Sequence, residues 1–171
     1  MIGLRIEEVT QIFVDMDGVL ADFDAHHEAI FGYRPDKQAD DVDWQKVRGV
    51  SGFYANIPPM VDMHELWNFV SRLDAPPIVL TGVPVVVEEA PDNKREWVSR
   101  HLGADVEVRC VRSRDKCLHC QPGDILIDDW EKYRHLWIGK GGRWITHTSA
   151  KSTIDQLVEI GMGLQSGLGF N

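Results

Sequence analysis

Short apolar runs recur along this chain, and each is too brief for a helix of ordinary length. They occupy positions 11–14, 77–80, 106–108, 125–127 and 143–145. Runs that are apolar at nearly every position are typical of strands buried on both faces of a parallel sheet. The runs that end at Val14, Leu80 and Ile127 are each followed directly by a small or acidic polar residue. The pattern therefore predicts about five parallel strands, three of which end on polar side chains.

Between these runs lie segments in which apolar residues recur at helical spacing, at 62–72, 92–101 and 152–160. Asp62 suits the N-cap of the first helix, and Ser152 or Thr153 that of the third. Gly103 and Gly161 stand just past the ends of the second and third helices. Strands that alternate with helices predict an α/β fold with a doubly wound, Rossmann-like parallel sheet. Such sheets bind ligands at the carboxyl ends of their strands.

Residues 23–75 interrupt this alternation. The stretch is rich in acidic, aromatic and proline residues and is too long for an ordinary loop. We therefore predict a small, mostly helical cap at 23–75, inserted after the first strand, and a core domain formed by 1–22 and 76–171. The glycine-rich end, from Gly161 to Gly169, is predicted to be a loose tail.

Composition and charge narrow the classes of partner. The chain has 171 residues, of which 43% are hydrophobic, so it can bury a core without disulfides or metals as staples. Its formal net charge of −9 argues against a nucleic-acid polymer as partner, because such polymers favour basic surfaces. The most apolar stretch, 78–87, is too short and too broken to span a membrane. With three cysteines and no signal-like beginning, the chain is expected to be cytoplasmic.

Two pairs of carboxylates follow predicted strands. Asp15 and Asp17 flank Met16 after the first run, and Asp128 and Asp129 follow the fourth. Carboxylates this close repel each other, and a divalent cation or protonation of one of them relieves the repulsion. Either pair alone also suits an ordinary turn or a helix N-cap. If neighbouring strand ends bring the pairs together, their oxygens form a site suited to Mg²⁺.

Two further signals near strand ends are weaker. Thr81 and Gly82 follow the second run, where a hydroxyl and a backbone amide can hold an anionic oxygen, although Thr-Gly is also a common turn. Lys116 lies shortly before the strand that ends at Asp128 and could neutralise a phosphate, whereas a solvated lysine is the simpler interpretation. Neither signal alone identifies an anion site.

The order of these motifs carries a resemblance to a known superfamily. The motifs are DMDGVLAD at 15–22, LTG at 80–82, RDK at 114–116 and ILIDD at 125–129. This series resembles the four strand-end motifs of the haloacid dehalogenase-like (HAD) phosphohydrolases. The apolar residues that lead into the first motif agree with that pattern as well.

Three longer stretches narrow the resemblance to one family. They are DMDGVLADF at 15–23, GFYANIPP at 52–59 and KREWVSRHLG at 94–103. These resemble the cytosolic and mitochondrial 5′(3′)-deoxyribonucleotidases, patchily over 11–147. The chain departs from that family in its length, in having LTG where the family has T-S-P, and in CLHC at 117–120. We interpret those cysteines as incidental thiols.

The resemblance implies a mechanism with named residues. Asp15 is implied as the nucleophile that forms an aspartyl-phosphate, and Asp17 as the acid and base for the leaving oxygen and the attacking water. Mg²⁺ is the implied cofactor, held by the Asp15 carboxylate, the Asp17 backbone carbonyl and the pair Asp128 and Asp129. The residues implied to stabilise the phosphoryl oxygens are Thr81, Gly82 and Lys116.

The cap is implied to exclude water and to select the substrate. Phe23, Phe53 and Tyr54 are candidates to stack on a base, and the alternative for each is packing within the cap. The implied substrate is a small phosphorylated molecule, above all a nucleoside monophosphate. An exposed cap aromatic could instead serve a homodimer.

Two alternatives to a nucleotidase stay open on the sequence. One keeps the fold and the chemistry but acts on a sugar phosphate or another small phosphorylated metabolite. The other is a binding module on the same fold that no longer turns over. The complete set of motif side chains favours an enzyme, because a binding module has no need for a protonatable residue at Asp17.

Overall fold

Five parallel strands form the centre of the molecule in a computed structural model that describes residues 10–162. The strands are β1 (Ile12–Val14), β2 (Ile78–Gly82), β3 (Val108–Val111), β4 (Ile125–Asp128) and β5 (Arg143–Thr146). Every neighbouring pair is parallel, and the strand order is β3-β2-β1-β4-β5. The chain starts at the central strand, moves to one edge, and returns to build the other. The predicted doubly wound, Rossmann-like sheet of about five strands is confirmed.

Burial follows the apolar runs of the sequence. All residues of β1 and β4 are buried, because these strands lie inside a sheet that helices flank. The third predicted strand is present but its predicted bounds of 106–108 are wrong, since β3 begins at Val108 and ends at Val111. All residues of this edge strand are only half-buried. Arg109 interrupts the apolar pattern of the strand, and its side chain pairs with Glu107. At the edge of the sheet the apolar pattern is weaker, so the ends of β3 are harder to predict from the sequence.

The described residues contain the helices α1 (Phe23–Phe31), α2 (Trp44–Arg48), α3 (Met63–Val70), α4 (Ala90–His101), α5 (Arg134–Gly139) and α6 (Ala150–Glu159). The three predicted helices are α3, α4 and α6, with shifted ends. α4 starts at Ala90 because Pro91 fits the first turn of a helix. Ser149 caps α6 by accepting a hydrogen bond from the Ser152 amide, so the predicted caps Ser152 and Thr153 are wrong.

Asp62 occupies the predicted N-cap position of α3 but bonds elsewhere. Its carboxylate accepts a hydrogen bond of 2.7 Å from the Ala150 amide at the start of α6. α3 and α6 also pack against each other. The predicted cap of 23–75 thus ends in a helix that packs with the core, preceded by α1, α2 and the 3₁₀ turn Tyr54–Asn56. The division of the chain into core and cap stays a prediction.

The chain end agrees with the prediction only as far as it is described. Gly161 follows α6 with a φ of +89°, a left-handed conformation that ends a helix. The remainder of the predicted tail, 163–169, lies outside the described residues.

Within residues 10–162, no helix is both long and apolar enough to cross a membrane. Cys110, Cys117 and Cys120 all carry free thiols. The cytoplasmic location itself stays a prediction.

Candidate active site

The residues singled out in the sequence meet at the carboxyl ends of β1, β2 and β4. Asp15 directly follows β1, Gly82 ends β2, and Asp128 ends β4. The Asp15 amide donates a hydrogen bond of 2.9 Å to the Ile127 carbonyl, which joins the end of β1 to β4. A cavity of about 350 Å³ opens at this edge of the sheet, and its lining includes Asp15, Asp17, Gly82 and Asp129.

Lys116 links the carboxylates that follow β1 and β4. It is buried on the 3₁₀ helix Ser113–His119. Its Nζ lies 2.9 Å from an oxygen of Asp15 and 2.7 Å from an oxygen of Asp128. Burial lowers the pKa of Lys116, but the negative charges of Asp128 and Asp15 more than offset this effect and raise the pKa overall. Burial raises the pKa of Asp128 to about 6, against the opposing effect of Lys116.

Three carboxylates form one cluster of oxygens. Asp15, Asp128 and Asp129 each offer an oxygen, and these atoms lie within 4.8 Å of one another. Carboxylate oxygens are hard ligands, which Mg²⁺ prefers, so the donor set fits such a cation. The Asp17 carboxylate is turned toward Lys94 instead, at 2.7 Å. A metal-ligand role for the Asp17 backbone carbonyl stays what the resemblance implies.

Gly18 allows Asp129 to approach the turn after β1. Its φ of +79° lies in the left-handed region, which glycine adopts without steric cost. A Cβ at this position would lie 2.1 Å from Oδ2 of Asp129, closer than nonbonded atoms can approach. Two independent reasons, backbone conformation and space for a carboxylate, therefore require glycine in the first motif.

We expect Gly18→Ala to weaken Mg²⁺ binding and to lower the free energy of unfolding. A left-handed backbone costs an alanine about 1–2 kcal/mol, and the added methyl also displaces Asp129. Gly32→Ala is the matched control, because Gly32 has a φ of +84° and no heavy atom within 4 Å of an added Cβ. Urea unfolding should show a loss in both variants, and calorimetric titration with Mg²⁺ should show weaker binding in the first alone. Equal Mg²⁺ affinities would contradict a metal site that includes Asp129.

Lys94 is a residue of the site that the sequence analysis missed. It lies on α4, and its side chain is fully buried. Its Nζ donates hydrogen bonds to Oδ2 of Asp17 at 2.7 Å, to Oγ1 of Thr81 at 2.9 Å and to the Gly82 carbonyl at 2.7 Å. The same nitrogen lies 4.5 Å from the ring centroid of Tyr54. These partners compensate a charge that would otherwise be costly to bury.

The helical phase of Lys94 was the available clue in the sequence. Ala90, Lys94, Trp97 and Val98 are all buried on α4, at the spacing of one helix face. A lysine that lies on the apolar face of a helix either pairs with a negative charge in the interior or extends along that face to solvent. In the sequence analysis, 94–103 was noted only for its resemblance to a known family, and that resemblance assigned no role to Lys94.

Asp17 has one carboxylate oxygen bonded to Lys94 and one without a partner. The second oxygen, Oδ1, is buried and makes no hydrogen bond. Burial raises the pKa of Asp17, although Lys94 acts in the opposite direction. A carboxyl group whose pKa is raised gains and loses its proton more readily near neutral pH, and at the edge of a cavity it is suited to acid–base chemistry.

Two of the three predicted stacking residues reach the cavity. Phe23 and Tyr54 line it, and so does Trp44, which the sequence analysis did not propose. Phe53 does not line the cavity, and its ring centroid lies 5.7 Å from that of Phe23 and 5.3 Å from that of Tyr54. Phe53 therefore occupies the packing position that was the alternative for each of these aromatics.

A third lysine reaches the carboxylates, and this one comes from the predicted cap. Lys37 lies between α1 and α2, and its ammonium bonds to Oδ2 of Asp129. Asp40, in the same segment, pairs with Lys132 at 3.2 Å. The partners in each pair are 92 residues apart, and no local pattern in the sequence links them.

Comparison with known proteins identifies the family. No family model matches the chain. A Bordetella pertussis protein assigned as a 5′(3′)-deoxyribonucleotidase is 31% identical over 139 residues, which are 69% of this chain and 73% of that protein. The chain belongs to the 5′(3′)-deoxyribonucleotidase family.

Two human members of the 5′(3′)-deoxyribonucleotidase family also match. The cytosolic type is 28% identical over 150 residues, which are 72% of this chain and 72% of the human protein. The mitochondrial enzyme is 27% identical over 151 residues, which are 75% of this chain and 65% of the human one. These matches confirm the resemblance and identify the chain as an enzyme, a phosphatase of the HAD type. The alternative of a binding module without turnover is therefore not supported.

Proposed function

We propose that this enzyme hydrolyses (deoxy)nucleoside monophosphates with Mg²⁺ as cofactor, through an aspartyl-phosphate on Asp15. The observation that carries the proposal is the meeting of Asp15 with Lys116, two further carboxylates and the partly unpartnered Asp17 at the edge of the sheet where the cavity opens. A nucleotide substrate is supported by the names of the relatives and by the aromatic side chains in the cavity lining.

Asp15 is the proposed nucleophile of the first half-reaction. A bond forms between a carboxylate oxygen of Asp15 and phosphorus, while the bond from phosphorus to the nucleoside oxygen breaks. Asp17 gives its proton to the departing oxygen, which leaves as an alcohol. The raised pKa of Asp17 supports this role, because burial favours the protonated carboxyl.

Water completes the proposed cycle. The ionised Asp17 accepts a proton from a water molecule, whose oxygen attacks phosphorus and releases phosphate from Asp15. The hydrogen bond of 2.7 Å from Lys94 stabilises Asp17 in this ionised state. Burial and Lys94 thus act in opposite directions on Asp17, which allows both protonation states within one cycle.

Donors on the phosphoryl oxygens are the third element of the proposal. Gly82 lines the cavity, and we assign its amide to one of these oxygens. Thr81 is fully buried and accepts a hydrogen bond from Lys94, so its own hydroxyl hydrogen is available to donate. Lys116, held between Asp15 and Asp128, keeps the nucleophile oriented.

The residues proposed to hold Mg²⁺ are Asp15, Asp128 and Asp129 by their carboxylates and Asp17 by its carbonyl. When bound, Mg²⁺ supplies the positive charge that offsets repulsion between these carboxylates and the phosphate of the substrate. Both carboxylate oxygens of Asp128 are engaged, Oδ2 with Lys116 at 2.7 Å and Oδ1 with the Trp130 amide at 2.8 Å, whereas Lys37 bonds to one oxygen of Asp129. Asp129 is therefore the preferred direct ligand of the pair.

The proposal is tested by phosphate release from a panel of substrates. The panel contains nucleoside 5′- and 3′-monophosphates, deoxy and ribo, beside sugar phosphates, each with Mg²⁺ and with EDTA. Asp15→Asn serves as the blank. Release that depends on Mg²⁺ and is concentrated on nucleotides is the expected result. Release concentrated on sugar phosphates would overturn the substrate, and release unaffected by EDTA would overturn the cofactor.

We expect Trp44→Ala to raise KM for a nucleotide more than for acetyl phosphate, which has no ring. Stacking of a base on an aromatic side chain contributes about 1–3 kcal/mol, so KM should rise about 5–150-fold. Phe53→Leu is the comparison variant, since Phe53 does not line the cavity and should affect both substrates alike. Steady-state kinetics of both variants on both substrates checks this. An equal change for the two substrates in Trp44→Ala would remove Trp44 from the base site.

A further inference from the structure

Lys37 is the one cap side chain, among the described residues, that pairs with a carboxylate of the oxygen cluster. Its ammonium bonds to Oδ2 of Asp129, and the pair is largely enclosed, with side-chain exposures of 35% for Lys37 and 13% for Asp129. This is the same oxygen that lies against the backbone of Gly18. Asp129 is thus held between the turn after β1 and a lysine from the cap.

The distribution of charge explains why Lys37 is there. Lys116 bonds to Asp15 and to Asp128. The third carboxylate of the cluster, Asp129, has Lys37 as its cation. A divalent cation held by the same three carboxylates adds positive charge next to an ammonium on the same carboxylate, that of Asp129. The ammonium of Lys37 and a divalent cation, when both lie at the Asp129 carboxylate, repel each other strongly in a partly enclosed site.

We propose that Lys37 competes with the divalent cation for Asp129, and that it leaves this carboxylate when the cation binds. This inference rests on the metal site of the proposed function. It makes the contact between cap and core depend on the cation: Lys37 holds the cap segment on the site in the free protein, and cation binding releases that contact. The freed ammonium stays at the cavity, which Lys37 lines, where the substrate phosphate enters.

The segment that carries Lys37 is held together by hydrogen bonds of its own. Within it, Asp36 accepts hydrogen bonds from the amides of Gln38 and Ala39, and Asp41 accepts one from the Asp36 amide. A second pair, Asp40 with Lys132, ties the same segment to the core without involving the carboxylate cluster. Only the first of the two ties therefore responds to a cation.

Calorimetric titration of the metal-free protein with Mg²⁺ tests the competition. Lys37→Met removes the ammonium but keeps a side chain of similar length, and it should bind Mg²⁺ about 10-fold more tightly than the wild type. Lys132→Met is the matched control, because it removes the other tie of the same segment and leaves Asp129 untouched. Its Mg²⁺ affinity should equal that of the wild type.

Hydrogen exchange of the cap segment gives a second readout that is independent of turnover. In the wild type, Mg²⁺ should speed exchange at the Asp36 and Gln38 amides. In Lys37→Met, exchange there should already be fast and should not respond to Mg²⁺. Equal or weaker Mg²⁺ binding by Lys37→Met, with binding intact in the wild type, overturns this inference alone. Absence of Mg²⁺ binding in every variant overturns the metal site of the proposed function, and this inference with it.

Discussion

The Asp15→Asn variant is expected to release phosphate from a nucleotide at least about 10³-fold more slowly than the wild type. A neutral amide is a poor nucleophile and cannot form the aspartyl-phosphate. The fold should survive, because asparagine has nearly the same shape and Lys116 keeps Asp128 as a partner at 2.7 Å. Initial rates at saturating nucleotide and Mg²⁺, with urea unfolding of the same preparation, check both statements.

Asp124→Asn is the matched control for that variant. Asp124 is a buried carboxylate just before β4, at the opposite end from the site, and it accepts hydrogen bonds from the amides of Gln11 and Gln121. Its loss should lower the free energy of unfolding by about 1–3 kcal/mol with no comparable loss of rate.

Acid-quenched wild-type enzyme should retain label from a phosphate-labelled substrate, and Asp15→Asn should not. Label retained by Asp15→Asn would rule out Asp15 as the nucleophile.

The Lys94→Met variant is expected to lose about 10²-fold in kcat, with its pH profile moved to higher pH. Burial already raises the pKa of Asp17, and Lys94 is the main opposing influence. Without Lys94 the pKa of Asp17 rises further, so a smaller fraction is ionised at a given pH. Because the ionised form accepts the proton of water, the acidic limb of kcat must shift upward. Rates measured across a series of buffers test the direction.

The control for Lys94→Met is Arg95→Met on the same helix. Arg95 is half-exposed and pairs only with the exposed Asp92, at 3.4 Å, and such a surface pair contributes little. Its profile should match that of the wild type. Lys94→Met should also lower the free energy of unfolding by about 1–3 kcal/mol, since it leaves Asp17 without its cation. A loss of stability with an unshifted pH profile would make Lys94 purely structural.

The charge of the site differs from the charge of the chain as a whole. The formal net charge is −9, yet the site itself gathers lysines from three different segments, at Lys37, Lys94 and Lys116. The overall charge therefore argues against nucleic-acid polymers without arguing against an anionic small substrate. The local field is set by these lysines and by the cation that the carboxylates are proposed to hold.

The sheet and the first members of the site follow from the sequence by local rules. Strands buried on both faces must be apolar at nearly every position, so β1, β2 and β4 are visible as short runs. In a parallel doubly wound sheet, side chains that follow different strands meet at one edge. The sequence therefore favoured a meeting of the carboxylates that follow β1 and β4, and the resemblance added Gly82. The signal weakened at the edge strand β3, where half-buried positions carry charged residues.

What only the tertiary structure decided is which side chains pair, and which aromatics face the cavity. Lys94 pairs with Asp17 across 77 residues and Lys37 with Asp129 across 92 residues. No periodic pattern in the sequence indicates such distant partners. Phe53 was a stacking candidate and Trp44 was not, yet Trp44 lines the cavity and Phe53 does not, because the positions of these rings depend on how α1, α2 and the following turn pack. Burial and charge pairing are properties of the folded surroundings. The sequence by itself determined where the strands end, and the fold determined what meets there.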